Sequence, residues 1–180
     1  MYQLNPLYES INVSFSYHIR DPKDLSERHI NQISTLQNQL VIKDKQNDSK
    51  LGLVDKSEPV WGPSTFKKFI FSNRISFQRL ITAEANDIIW GVIHYQEYKE
   101  NYQWNEYKGH QGTISKVVVD ESLRGQGIGT KLMNITKNWV KKNRPVIQIF
   151  LGVHSQNISA QALYKNTGFV PVNQLMVCKL

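Results

Sequence analysis

The stretch from Gly112 to Met133, GTISKVVVDESLRGQGIGTKLM, constrains this chain more than any other. It starts with Val117-Val118-Val119, a β-branched run suited to a buried strand. A polar turn, Asp120 to Leu123, leads into Arg124-Gly125-Gln126-Gly127-Ile128-Gly129. Ile128, Leu132, Ile135, Trp139 and Val140 then recur at helical spacing. Strand, glycine turn and helix start together aim several unpaired backbone N–H groups at one point, where the helix dipole is positive. Glycines remove the Cβ atoms that would keep an anion away. The stretch reads as a phosphate cradle, against the plainer reading of a glycine-rich turn between strand and helix.

Spacing decides which cradle. A Walker loop needs a glycine five positions after its first, and position 130 is Thr130. A dinucleotide fingerprint needs Gly-x-Gly-x-x-Gly, whereas the glycines here are Gly125, Gly127 and Gly129. Arg-x-x-Gly-x-Gly does fit, at Arg124, Gly127 and Gly129, and resembles motif A of the GNAT acyl-CoA-dependent N-acyltransferases. Downstream, Asn157-Ile158-Ser159-Ala160-Gln161-Ala162-Leu163-Tyr164 followed by Gly168-Phe169 is similar to motif B of that family. Taken singly, Asn157 suits a helix N-cap, Gly168 a C′ position and Tyr164 a core aromatic. The pair of motifs in this order points to the family. The resemblance covers Ser76 to Leu180 well and the residues before it poorly.

What the resemblance implies is an α/β fold. Its central sheet would be mixed and mostly antiparallel, with six to seven strands, flanked by helices in a three-layer sandwich. Acetyl-CoA would be the co-substrate, with no metal. Val117, Val118 and Val119 would hold the pantetheine arm. Arg124, Gly125, Gln126, Gly127, Ile128, Gly129 and Thr130 would surround the pyrophosphate. Asn157 would touch the cofactor, and Tyr164 would lie beside the thioester sulfur as general acid. A main-chain N–H near Val119 would polarise the thioester carbonyl.

At 180 residues the chain is expected to be one domain, 1–180. No apolar run has the length of a membrane span, so no membrane partner is expected. MYQLNPLYES lacks a basic region followed by an apolar stretch, and Cys178 is the one cysteine, so a cytoplasmic protein is expected. Cys178 reads as packing in a last strand rather than as a nucleophile. The net charge of +7 is uneven: residues 1–60 hold seven Lys/Arg against eight Asp/Glu, and residues 61–180 fifteen against seven. A polyanionic cofactor accounts for part of this excess through Arg124, Lys131 and Lys165. Lys137, Lys141, Lys142 and Arg144 read as a solvated helix end. Nucleic acid is therefore not the expected partner.

In chain order, Asn12 to Ile19 alternates as a first strand, and Ser26 to Leu40 has Ile30, Ile33, Leu36 and Leu40 at helical spacing. Lys43 to Lys56 reads as a mobile loop and Thr65 to Asn73 as a short helix. Strands are expected at Ser76 to Ala83 and Ile88 to Tyr98, joined by the four residues Glu84 to Asp87. Lys99 to Gln111 carries Tyr102, Trp104 and Tyr107. It reads as acceptor-site lining, an extended hairpin or a dimer contact, which leaves a homodimer open. Val146 to Val153 and Gln174 to Leu180 read as the remaining strands, with Arg144-Pro145 stopping the preceding helix.

Acyl transfer to an amine also needs a base. Relatives often carry a carboxylate on the fourth strand, but the expected cofactor-facing row here is Thr113, Ser115 and Val117, with Lys116 opposite. Glu84, Glu97, His94, His110 and His154 remain as base candidates. Three readings stay open. The first is an acetyltransferase acting on a small-molecule or peptide amine; the second modifies a ribosomal or other protein amine. The third is a non-catalytic acyl-CoA-binding module.

Overall fold

The computed structural model describes residues 14–50, 62–72, 74–98, 110–174 and 176. Five strands form one sheet in sequence order: β1 (Ser16–Arg20), β2 (Ile75–Ala85), β3 (Ile88–Tyr98), β4 (Gln111–Val119) and β5 (Gln148–Leu151). The first four pair antiparallel, and β4 pairs parallel with β5. Helices α1 (Glu27–Lys50) and α2 (Pro63–Ile70) cover one face, α3 (Ile128–Asn143) the other, and α4 (Ile158–Asn166) follows β5. Strand alternation builds both cores. Leu80, Val92 and Val118 pack with Ile30, Ile33, Phe66 and Ile70. Ile81, Ile93 and Tyr95 pack with Ile128, Leu132 and Met133. The expected class therefore holds, with five strands among the described residues where six to seven were expected for the chain. Gln174 and Met176 are not in a strand; residues 177–180, with Cys178, lie outside the described residues, as do Tyr102, Trp104 and Tyr107.

Of the expected boundaries that move, two have a local chemical reason. Residues 43–50 continue α1 instead of forming a loop, because neither glycine nor proline interrupts the chain before Gly52 and Val41 is still buried in the core. The β2–β3 connection is two residues, Asn86 and Asp87, with φ of 51° and 59°. Asn and Asp tolerate the left-handed region that a tight hairpin turn requires, which frees Glu84 and Ala85 to stay in the strand. No helix among the described residues is long and apolar enough to cross a membrane.

His94 is fully buried on the α1 side of β3. Its Nε2 lies 2.8 Å from Gln78 Oε1. The Gln78 amide nitrogen is used on the Ile70 carbonyl, so Nε2–H of His94 is the donor and the ring is neutral. Burial, then the Lys116 charge, hold its pKa down to about 3. An unfolded imidazole titrates near about 6.5, so below that pH only the unfolded chain takes up the proton. The contribution of His94 is complete above about pH 6.5 and declines toward pH 3 with a limiting slope of about 1.4 kcal/mol per unit. Urea unfolding from pH 7.5 to 5 should show this limb, and His94→Gln should flatten it. Parallel slopes would mean that His94 is already protonated in the fold.

Candidate active site

The sheet opens where β5 stops. β4 pairs with β5 only from Gln111 to Ile114, opposite Gln148 to Leu151, yet β4 runs on to Val119. Asp120 N–H donates to the Trp90 carbonyl at 2.8 Å, and Val118 is paired with Val92. In an antiparallel ladder the intervening residues turn their main-chain groups away from that partner. The N–H and C=O groups of Val117 and Val119 therefore face the opening, and Arg124 Nε donates to the Val119 carbonyl at 3.1 Å.

A β-bulge shapes the same strand. His94 opposes Lys116 and Tyr95 opposes Ile114, so Ser115 is the extra residue, and its Oγ donates to the His94 carbonyl at 3.3 Å. The bulge breaks the period of two. Thr113, Ser115 and Val117 do not form one row: Thr113 and Lys116 share the α1 side, and Val117 joins the α3 side.

At the far end of β4, Gly125 and Gly127 sit at φ of 82° and 81°, and Gly127 caps α3. A Cβ on either would meet no atom within 4 Å, so the space before the helix N-terminus is open. A Cβ on Gly129 would come within 3.3 Å of Leu163 Cδ2, which is why α3 and α4 can approach there. The result is a cleft lobe of about 360 Å³. Val117, Val118, Val119, Arg124, Gly125, Gly127, Ile128, Gly129, Thr130, Asn157 and Tyr164 all line it. Gln126 is exposed in the loop and is not among the lining residues. Lys43 of α1 also lines the lobe, and its Nζ lies 3.2 Å from Ser159 Oγ of α4.

Asn157 is buried as the α4 N-cap, its Oδ1 accepting from Ala160 N–H at 3.3 Å and Ser159 Oγ at 3.1 Å. Capping and cleft lining thus coincide in one residue. Tyr164 stands against Phe169, ring centroids 6.2 Å apart, where a second lobe of about 360 Å³ begins. The two lobes share Leu40, Val117, Asn157, Ala160 and Tyr164. Burial, then the Asp44 carboxylate, push the Tyr164 phenol up to about 12. A full proton transfer from such a phenol to a thiolate whose acid has pKa of about 8.5 is uphill by roughly 5 kcal/mol. Tyr164 is suited to donating a hydrogen bond that strengthens as negative charge grows on sulfur, not to complete protonation.

Four of the five base candidates lie elsewhere. Glu84 is held by Arg20 at 2.8 Å on the β1 side of the sheet. Glu97 is 1% exposed and enclosed by Arg144, Tyr95 and His110. His94 serves the core. His154 alone lines the second lobe, but its Nδ1 accepts from Gln156 N–H at 3.1 Å, which leaves Nε2 carrying the ring proton. The second lobe also has Asp44 and Lys116, neither of which the sequence reading selected. Asp44 fell in the stretch read as a loop, and Lys116 was turned away by an unbroken strand period. The bare signal for Asp44 was the lack of a helix breaker after Leu40.

The sequence profile described as the acetyltransferase (GNAT) family matches residues 49–169. The chain belongs to the GNAT acetyltransferase family. Among curated relatives, the uncharacterized N-acetyltransferase YobR of Bacillus subtilis is 36% identical over 63 residues, 35% of this chain and 25% of that protein. The matched part thus spans about a quarter of that relative's length. Among solved structures, a mutant BH1408 protein from Bacillus halodurans superimposes with a TM-score of 0.71 at 19% identity, over 92% of this chain and 99% of that one. The aminoglycoside N-acetyltransferase AAC(6')-Iy in complex with CoA gives a TM-score of 0.64 at 12% identity, over 95% and 99%. These likenesses establish the GNAT fold of the chain, and the opening between β4 and β5 lies within it.

Proposed function

We propose that this chain transfers an acetyl group from acetyl-CoA to a primary amine of a small molecule or peptide, by direct attack with both substrates bound. The observation that carries this reading is the continuity of the cleft. It runs from the glycine cradle at the α3 N-terminus, along the outward main-chain groups of Val117 and Val119, to Tyr164 and a second lobe. Residues 125–130 offer N–H groups and open space to a pyrophosphate. The uncovered edge of β4 offers donors and acceptors to an amide-containing arm. Arg124 adds a cation at that end, and Lys43 closes the mouth from α1. The solved neighbour bound to CoA supports the same co-substrate here.

Within this reading the N–H of Val119 polarises the thioester carbonyl and Tyr164 supports the departing sulfur. One chain lines both lobes, so the reading requires no second subunit. A single cysteine fits a reducing, cytoplasmic place of action. The test is release of CoA thiol from acetyl-CoA across a panel of primary amines. Tyr164→Phe should keep the affinity for acetyl-CoA and lower kcat by roughly tenfold to a hundredfold, as loss of one positioned donor does. If kcat is unchanged at every pH, Tyr164 is a packing residue.

A further inference from the structure

The second lobe begins at Tyr164, where the acyl group would lie, so under the acyl-transfer reading it is the place of the acceptor. Among the described residues its charged lining is balanced. Asp44 enters from α1 beside Tyr164, and Lys116 enters from β4 on the row that also carries His94. The bulge at Ser115 puts Thr113 rather than Ile114 on the same side of β4 as Lys116. His154, whose Nδ1 accepts from Gln156 N–H, also belongs to this lining. Both Asp44 and Lys116 also interact within the protein, so the lobe is charged and structured before any acceptor arrives.

We infer that the acceptor is a small amine carrying an acidic group, such as an α-amino acid or a short peptide, its ammonium meeting Asp44 and its anion meeting Lys116. This deepens the acetyltransferase reading and rests on it. A polycation would bring several positive charges to a lobe whose described lining holds one carboxylate and one ammonium, in a chain of net charge +7. An uncharged amine would bring no anion toward the half-buried Lys116. An acceptor with one charge of each sign complements both groups.

Asp44 then has a chemical part. The bound ammonium gives one proton to the Asp44 carboxylate, and the neutral nitrogen forms its bond to the thioester carbon. The carbon–sulfur bond breaks, and the second proton lost by nitrogen ends on sulfur beside Tyr164. The products are the amide, the CoA thiol and the Asp44 carboxylic acid, which returns its proton to water. Charge balances, since one ammonium and one carboxylate are consumed.

The test compares kcat/KM for matched α-amino acids and their amides in wild type, Lys116→Glu and Asp44→Asn. Taking the ratio within each enzyme, and then comparing ratios between enzymes, cancels the difference in amine pKa. Lys116→Glu should shift the acid-to-amide ratio toward the amide by about tenfold or more, the scale of a charge-assisted contact. Asp44→Asn should lower kcat/KM for every amine by a similar factor. Both variants should bind acetyl-CoA as wild type does, because neither residue lines the first lobe. A ratio unmoved by Lys116→Glu overturns the assignment of the acidic group while leaving acyl transfer standing. Wild-type rates for every amine in Asp44→Asn overturn the assignment of the ammonium. No CoA release by wild type with any amine defeats acyl transfer and this inference together.

Discussion

Gly127→Val should weaken acetyl-CoA binding at least about a hundredfold, close to 3 kcal/mol, in a chain that still folds. Gly127 is the α3 N-cap at φ of 81°, a region in which a β-branched residue is strained. A Cβ there meets nothing within 4 Å, so the valine finds no clash inside the protein. Its methyl groups would instead fill the cradle where, under the proposed function, phosphate oxygens meet the first N–H groups of the helix. Two effects then separate. The strain costs about 1–2 kcal/mol of folding and moves Tm by several degrees. The lost contact and the blocked space fall on binding alone. Calorimetric titration of acetyl-CoA into the folded variant decides the matter. Affinity equal to wild type would place the phosphates away from Gly127, and the α3 N-terminus would lose its assigned part.

Most of the first lobe was legible in the sequence because its determinants are local. A β-branched strand, a turn of glycines with left-handed φ and a helix start are each set by neighbouring residues. Together they fix Val117 to Thr130 without reference to the rest of the chain. Asn157 and Tyr164 were legible for the same reason, as cap and inner face of one short helix. The second lobe was not, because it is assembled from α1, β4 and the turn after β5. Asp44 depends on α1 continuing past its last large apolar residues, where pattern fades and only the absence of a breaker speaks for helix. Lys116 depends on a bulge, and one inserted residue moves every later side chain to the other face. The partners of Glu97 were not legible for a related reason. Its partners come from β3, from the end of α3 and from the residue before β4, and no window of sequence holds all three.

Glu97→Gln should cost about 3 kcal/mol of stability and lower Tm by roughly 10 °C in a domain of this size. Arg144 donates from Nε and Nη2 to the two carboxylate oxygens, each at 2.8 Å, and its guanidinium lies 3.8 Å from the Phe77 ring centre. Tyr95 Oη donates at 2.8 Å, and His110 Nε2 lies at 2.7 Å. Burial by itself would raise the Glu97 pKa, but the bonds from Arg144, His110 and Tyr95 prevail and hold the carboxyl below its ordinary range. The same contact, ahead of burial, raises the Arg144 pKa, so the two partners agree in direction. The sign for stability follows. A carboxyl depressed in the fold contributes fully above its unfolded value, about 4.3, and its contribution is lost as pH falls through the folded value. Glutamine keeps the shape but leaves Arg144, 26% exposed, without its anion. Residual solvation of that guanidinium keeps the cost near the lower end for a broken buried pair. The variant should therefore lose stability most at neutral pH, and the gap to wild type should narrow below about pH 4. Tyr95→Phe removes one neutral donor from the same carboxylate and should cost only about 1 kcal/mol. Thermal unfolding of the three proteins at pH 7 and pH 3.5 distinguishes the cases. A gap of equal size at both pH values would mean that packing around Glu97, rather than its charge, joins β3 to the end of α3.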